Sequence, residues 1–248
     1  MITIRGLKKK LGDHVVLDGV DLDVPTGKTV VVMGGSGSGK SVLLRHVIGL
    51  MTPDAGTIEV DGRSVVGLHE RELGEVRQRF GMLFQGGALF DSLTVGENIG
   101  LPLREHTRMT SAQIAARVTE RLDWVGLEGV ESKKPASLSG GMRKRVGLAR
   151  AIAMDPAYIL YDEPTTGLDP ITADVINRLI RSLQKRINVT SIVVTHDMTS
   201  AFHVADEMAL LREGKIVFAG TPEDARATRD PLVRQFIEGT SEGAAWPQ

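Results

Sequence analysis

The stretch TVVVMGGSGSGKSVLLRHVIGL, residues 29–50, leaves the chain few folds to choose from. It runs from an apolar, β-branched segment through a glycine-rich loop into a helical pattern closed by Gly49, with Pro53 beyond. Within it, GGSGSGKS at 34–41 satisfies G-x-x-x-x-G-K-[ST] in the strand–loop–helix setting which that pattern requires. Gly34, Gly35, Gly37 and Gly39, with Ser36 and Ser38 between them, let successive N–H groups turn inward around phosphate oxygens, and the helix start adds partial positive charge. Lys40 is placed to reach β- and γ-phosphates, and the Ser41 hydroxyl to bind Mg²⁺. A nucleoside triphosphate is therefore expected here.

The rest of the chain supplies the sheet such a loop needs. Residues 2–4, 14–24, 28–33 and 56–62 read as strands bounded by Gly, Pro and Asp. From about 68 to 131 the pattern is mostly helical, with candidates at 71–80, 94–103 and 110–127 and one short strand, GMLFQ, at 81–85. After 137 the order alternates: helix 140–153, strand 158–163, helix 171–186, strand 190–196, helix 199–205 and a hairpin over 207–220 turning at Glu213-Gly214. Apolar strands separated by helices indicate a parallel α/β sheet, and the middle block reads as a helical insertion. The last residues, GTSEGAAWPQ at 239–248, have linker-like composition, with Trp246 either an anchor or a stray ring.

Acids arrive where the sheet would present them. YILYDEP at 158–164 is an apolar strand ending in two carboxylates, and ligands of parallel sheets lie beyond the carboxyl ends of their strands. Asp162 is expected to hold Mg²⁺ and Glu163 to accept the proton of an attacking water. His196, after the strand SIVVT, is expected on the same edge, contacting a γ-phosphate. Gln85, closing GMLFQ where the core gives way to the insertion, is placed to reach Mg²⁺ or water.

Composition narrows the class without naming it. The chain has 248 residues, 42% hydrophobic and 25% charged, with a formal net charge of -1 that gives no general attraction to nucleic acid. The basic runs at 7–10 and 143–145 are read as solvated faces. There are no cysteines, which excludes disulfides and thiolate metal sites. The opening residues lack a secretory pattern, and runs such as 29–33 are too short to cross a bilayer.

Taken in order, GGSGSGKS, FQ at 84–85, LSGGM at 138–142, YILYDEP, GLD at 167–169 and TH at 195–196 resemble an ABC-type ATPase subunit over about residues 2–238. The resemblance implies an α/β P-loop NTPase core with a parallel sheet, an N-terminal antiparallel β subdomain and an inserted α-helical subdomain. It implies one domain over 1–238, with the core at about 1–85 and 157–238, the helical subdomain at about 86–156, and a tail at 239–248. It implies ATP and Mg²⁺ as ligands. It also implies a head-to-tail dimer, in which Ser139, Gly140 and Gly141 approach the partner's γ-phosphate and Asp169 links the two sites. Integral membrane permease subunits would dock in the groove beside Gln85, and no nucleic-acid partner is expected. Two features depart from the usual pattern: LGDH at 11–14 offers Leu11 or His14 where an aromatic ring commonly stacks on adenine, and Met142 stands where Gln is more frequent.

A narrower likeness joins MLFQGGALFDSLTVGENIGLPLREHT at 82–107, LSGGM, GLDPIT at 167–172 and LVRQF at 232–236 to the Mla/Mkl branch of that family. That branch works with MCE-domain proteins to move phospholipids or other lipids across the bacterial envelope. Some relatives bind a STAS-domain subunit, and the expected location is the cytoplasmic face of the inner membrane. Two alternatives remain: an ABC importer subunit for a small polar solute, and a soluble ABC ATPase of DNA repair or translation. The second usually carries two cores, coiled coils or zinc insertions, whereas this chain shows one core and no cysteine.

Overall fold

The computed structural model describes residues 1–240; the expectation for Trp246 lies outside them. β1 (Ile2–Leu11) pairs antiparallel with β2 (His14–Val24) and β4 (Ala55–Val60), and the short β5 (Arg63–Ser64) completes the order β2-β1-β4-β5. β1 runs well past the expected ITI. Ile2, Ile4 and Leu7 are buried, while Lys8 and Lys9 continue the strand with their ammonium tips paired to Asp18 at 3.0 Å and Asp54 at 2.8 Å. Of the 7–10 run, Lys8 and Lys10 are exposed and Lys9 partly so, as the charge suggested, whereas Leu7 is buried in the core.

β3 (Thr29–Met33) lies inside a second sheet, ordered β10-β9-β3-β8-β7-β6. Its other members are β6 (Phe80–Leu83), β7 (Tyr158–Asp162), β8 (Thr190–Thr195), β9 (Glu207–Arg212) and β10 (Lys215–Gly220). All neighbours are parallel except the closing hairpin β9–β10. Every residue of β3 and β8 is buried, because layers cover both faces. Val30, Val32, Leu160, Ile192 and Val194 face the antiparallel sheet and α1 (Lys40–Val47), while Val31, Met33, Ile159, Tyr161 and Val193 face the opposite layer of helices. Each fully buried valine contributes about 1.5–3 kcal/mol, so this strand is anchored from both sides.

α2 (Glu70–Arg77) is shorter than the expected 71–80, because Phe80 already belongs to β6, paired and ring-stacked with Tyr158 at 4.8 Å. The helical block follows. α3 (Val95–His106) begins on a reciprocal cap between Thr94 and Glu97, and α4 (Ser111–Trp124) on one between Thr110 and Gln113. α5 (Gly140–Ala151) lies directly on β6: a methyl placed on Gly81 would sit 2.1 Å from the Ala151 carbonyl oxygen. α4 and α5 cap each other's C-terminal ends. Arg121 donates to the Ile152 carbonyl at 3.1 Å and Arg145 to the Gly126 carbonyl at 2.9 Å. Trp124 lies between two guanidiniums, Arg121 at 3.8 Å and Arg186 at 3.9 Å from its ring centre. Arg186 belongs to α6 (Pro170–Ile187), so the ring bridges the block to the sheet layer.

α7 (Met198–Val204) follows β8, and two helices not expected from the sequence close the described chain, α8 (Pro222–Ala227) and α9 (Pro231–Glu238). No helix among the described residues is long and apolar enough to cross a membrane.

Candidate active site

The glycine loop turns between β3 and α1 with Gly39 at φ 100°, a conformation closed to larger residues, and a methyl at Gly34 would sit 2.6 Å from the Leu211 carbonyl oxygen. Lys40 is buried beneath the loop, its ammonium donating to the Gly34 and Gly35 carbonyls at 2.8 and 3.0 Å. The Ser41 hydroxyl donates to Asp162 at 2.8 Å, tying α1 to the end of β7.

Glu163, the next residue, is the centre of the site. It is buried and sits at φ 49°, an uncommon conformation for a side-chain-bearing residue. One carboxylate oxygen lies 3.4 Å from the Lys40 ammonium. The other accepts from the Thr166 hydroxyl at 3.0 Å and meets His196 Nδ1 at 2.9 Å. Burial pushes this carboxyl up, but the bonds from His196 and Thr166 and the Lys40 charge outweigh it and hold the group below the usual carboxylate range. An ionised carboxylate only accepts, so His196 Nδ1 carries the hydrogen.

Leu11, Val16, residues 36–42, Gln85, Glu163 and His196 line one cleft of about 340 Å³. The structure thus brings together the phosphate loop, Gln85, Glu163 and His196 in one cleft, with Asp162 joined to it through the Ser41 hydroxyl. Gln85 is exposed and lies two residues beyond β6 rather than closing it, because the strand's pairing with β7 ends at Leu83. Of the two residues offered for the base, Leu11 lines this cleft, whereas His14 lines a neighbouring cavity that shares Val16 and residues 36–38 with it.

Ser139, Gly140, Gly141 and Asp169 are not among the residues lining this cleft. Ser139 caps α5 by accepting from the Met142 amide at 3.2 Å, and Asp169 caps α6 by accepting from the Ile171 and Thr172 amides at 3.1 and 3.0 Å. The two helix starts touch, since a methyl on Gly141 would fall 2.5 Å from Thr172.

The 143–145 run is not a solvated face. Arg143 donates to the Leu138 carbonyl at 2.7 Å, Arg145 caps α4, and Lys144 is buried, its ammonium bonded to the main-chain carbonyls of Gln85 and Glu163. Burial drives the Lys144 ammonium down to about 8, against the opposing pull of Glu163 and Asp162. A signal for it existed: Gly141, Lys144, Leu148 and Ala151 share one helical face, and that face is the buried one.

Beside the site, Phe80, Met82, Phe84, Phe90, Pro102 and Arg150 line a groove of about 780 Å³ between β6 and α3. Phe84 and Phe90 are exposed in it, an apolar surface that an isolated subunit leaves open.

The model of the ABC transporter family matches residues 17–166, a span holding the phosphate loop, Gln85, the Ser139 segment and the carboxylate pair. The chain belongs to the ABC transporter family. Membership makes it an ATPase subunit. Among its relatives, the intermembrane phospholipid transport system ATP-binding protein MlaF of Haemophilus influenzae is 43% identical over 98% of this chain and 92% of its own length. MlaF of Escherichia coli K12 is 41% identical over 98% and 90%. The probable ribonucleotide transport ATP-binding protein mkl of Mycobacterium leprae is 43% identical over 96% and 69%. Among solved structures, the dimeric post-hydrolysis state of the ATP-binding cassette MJ0796 bound to ADP and Pi superposes with a TM-score of 0.83 at 33% identity, covering 90% of this chain and 99% of that one. The fold is that of an ABC ATPase.

Proposed function

We propose that this ABC subunit hydrolyses ATP as a head-to-tail pair of copies to drive phospholipid movement across a bacterial envelope. The observation that carries the hydrolytic part is the convergence of Lys40 and His196 on the buried Glu163 carboxylate, at 3.4 and 2.9 Å. Lys40 exchanges the Gly34 and Gly35 carbonyls for β- and γ-phosphate oxygens, while the loop amides cradle the chain of phosphates. Water attacks the γ-phosphorus, its proton passes to Glu163, and the bond to the ADP oxygen breaks, leaving ADP and phosphate. His196, oriented through Nδ1, turns Nε2 toward the γ-phosphate, and Gln85 steadies the water.

The donor set fits Mg²⁺. Ser41 and Asp162, 2.8 Å apart, with Gln85 nearby, offer the few hard oxygen ligands that this ion combines with phosphates and waters. When bound, Mg²⁺ would neutralise charge on the phosphate oxygens.

Ser139, Gly140, Gly141 and Asp169 sit at helix starts away from their own cleft, which supports their service to the partner's nucleotide. In this reading residues 1–85 and 157–238 form the core and 86–156 the helical subdomain. The groove at Phe84 and Phe90 receives an integral membrane permease at the cytoplasmic face of the inner membrane, and an MCE-domain protein and a STAS-domain subunit complete the assembly. The phospholipid assignment is supported by the names of the Haemophilus and Escherichia relatives. The mycobacterial relatives' name favours a second reading, in which the cargo is a small polar solute.

Two measurements test this. Glu163→Gln should keep ATP binding and lose turnover on the order of a hundredfold or more; near-normal turnover would remove Glu163 as the base. Tagged chain isolated from native membranes should bring down a permease together with an MCE-domain protein, and a clean association with a solute permease alone overturns the lipid assignment.

A further inference from the structure

One buried cation sits where three functional segments meet. Lys144 lies on α5, five residues after the Ser139 cap, and is 5% exposed. Its ammonium donates to the main-chain carbonyl of Gln85, on the loop beyond β6, and to that of Glu163, at the end of β7, the latter at 3.0 Å. α5 holds the same loop by a second side chain: Arg150 donates to the carbonyls of Gly87 at 2.9 Å and Ala88 at 2.8 Å. The helix and the loop from 85 to 88 are therefore one body, and Lys144 extends it to the strand end that carries the carboxylate.

Burying an ammonium is costly unless it is fully bonded, and charged hydrogen bonds to carbonyls are stronger than neutral ones. A methionine of the same length would fill the space without that cost, so the charge is explained by the two carbonyls it holds. One of them belongs to a residue that needs holding. At φ 49° Glu163 occupies a sparsely populated conformation, which persists only where its surroundings over-determine it. Its amide is fixed by the Val194 carbonyl of β8 at 2.9 Å, and its carbonyl by Lys144.

We infer that Lys144 is a positioning residue for hydrolysis: from the helix that presents Ser139, it sets the Gln85 loop and the Glu163 main chain relative to each other, so that the carboxylate is aimed at water only while α5 is seated. The inference rests on Glu163 acting as general base, as proposed above. It gives α5 a duty in its own subunit's site, beside the one its Ser139 end performs for the partner.

The test is Lys144→Met against Lys144→Arg in the full chain, reading kcat, KM for Mg-ATP, binding of a fluorescent ATP analogue and Tm. Misplacement of a catalytic group by an ångström can cost a hundredfold, so Lys144→Met should lower kcat by about tenfold to a hundredfold. KM and analogue binding should stay within about twofold, the signature of an interaction needed in the transition state alone. Lys144→Arg, which keeps charged donors, should recover most of the rate. A Lys144→Met enzyme with parental kcat overturns the inference, as does a parallel fall of kcat, analogue binding and Tm with no rescue by arginine. Should Lys144→Met not fold, Lys144→Gln keeps one donor group and should give an intermediate kcat; a parental kcat there also overturns it. Normal turnover in Glu163→Gln would instead remove the general base and this inference with it, whereas an inactive Glu163→Gln beside a fully active Lys144→Met removes only the role of Lys144.

Discussion

Adding one methyl at position 81 should harm this protein more than many side-chain deletions. A Cβ there would lie 2.1 Å from the Ala151 carbonyl oxygen and 2.9 Å from its carbonyl carbon, where real Cβ contacts stay beyond 3.0 Å. The obstacle is backbone, so α5 and β6 must part by about 1 Å, and overpacking of this kind costs about 3 kcal/mol. In a chain of this size that lowers Tm by roughly 6–12 °C. Gly74→Ala is the control with the opposite sign. Gly74 lies in α2 with a negative φ and nothing within 4 Å of a new methyl, so alanine should stabilise by about 0.5–1 kcal/mol. Urea unfolding of both variants reads the difference as a change in midpoint at constant slope. A Gly81→Ala protein that melts at or above the parental temperature would refute the close seating of α5 on β6.

Three further outcomes follow from named contacts. Arg121→Ala removes a buried guanidinium from Asp155 at 2.5 Å, from the Ile152 carbonyl and from the Trp124 ring, and should cost about 2–4 kcal/mol in urea unfolding. Burial pushes the Asp206 carboxyl up, but the Thr29 amide, Arg181 and Gln184 outweigh it and hold the group below the usual range. Its stabilisation is then complete above the ordinary carboxylate value of about 4 and fades as pH falls through the lower folded one, so Asp206→Asn should weaken the protein at neutral pH and match it in strong acid. Ser139→Arg should leave ATP binding to the single subunit intact while abolishing ATP-induced dimerisation, read by light scattering. An unchanged dimer would refute the service of that helix start to a partner.

Much of this was legible from residues. The strand–loop–helix of 29–50 is where the pattern puts it, and Asp162, Glu163 and His196 meet at the sheet edge because parallel strands present their carboxyl ends together. What failed to read did so for physical reasons. Lys8 and Lys9 disguised the length of β1, since lysine is a poor strand former and it is the pairing with β2, joined at Lys8 by β4, that keeps them extended. Phe80 suits helix or strand, and its stack on Tyr158 decides. α8 and α9 announce themselves through Thr221-Pro222 and Asp230-Pro231, short signals easily lost after a hairpin. Lys144 was hidden by its charge: three basic residues in a row look like surface, and only the helical phase of its neighbours marks position 144 as inward.

The strand order has a consequence for how the chain is made. The antiparallel sheet draws its strands from the first sixty-four residues and can close early. β3 cannot, because its partners β8 and β9 lie at 190–195 and 207–212. At a synthesis rate of about 5–20 residues per second, the strand waits roughly 8–30 s for its first neighbour. During that interval TVVVM is an uncharged, β-branched, proline-free segment, the kind that pairs with copies of itself, and Lys28 is the charge set directly beside it. A nascent chain therefore displays its glycine loop long before Asp162, Glu163 and His196 exist to complete the site, and nucleotide can reward folding only after the late strands emerge.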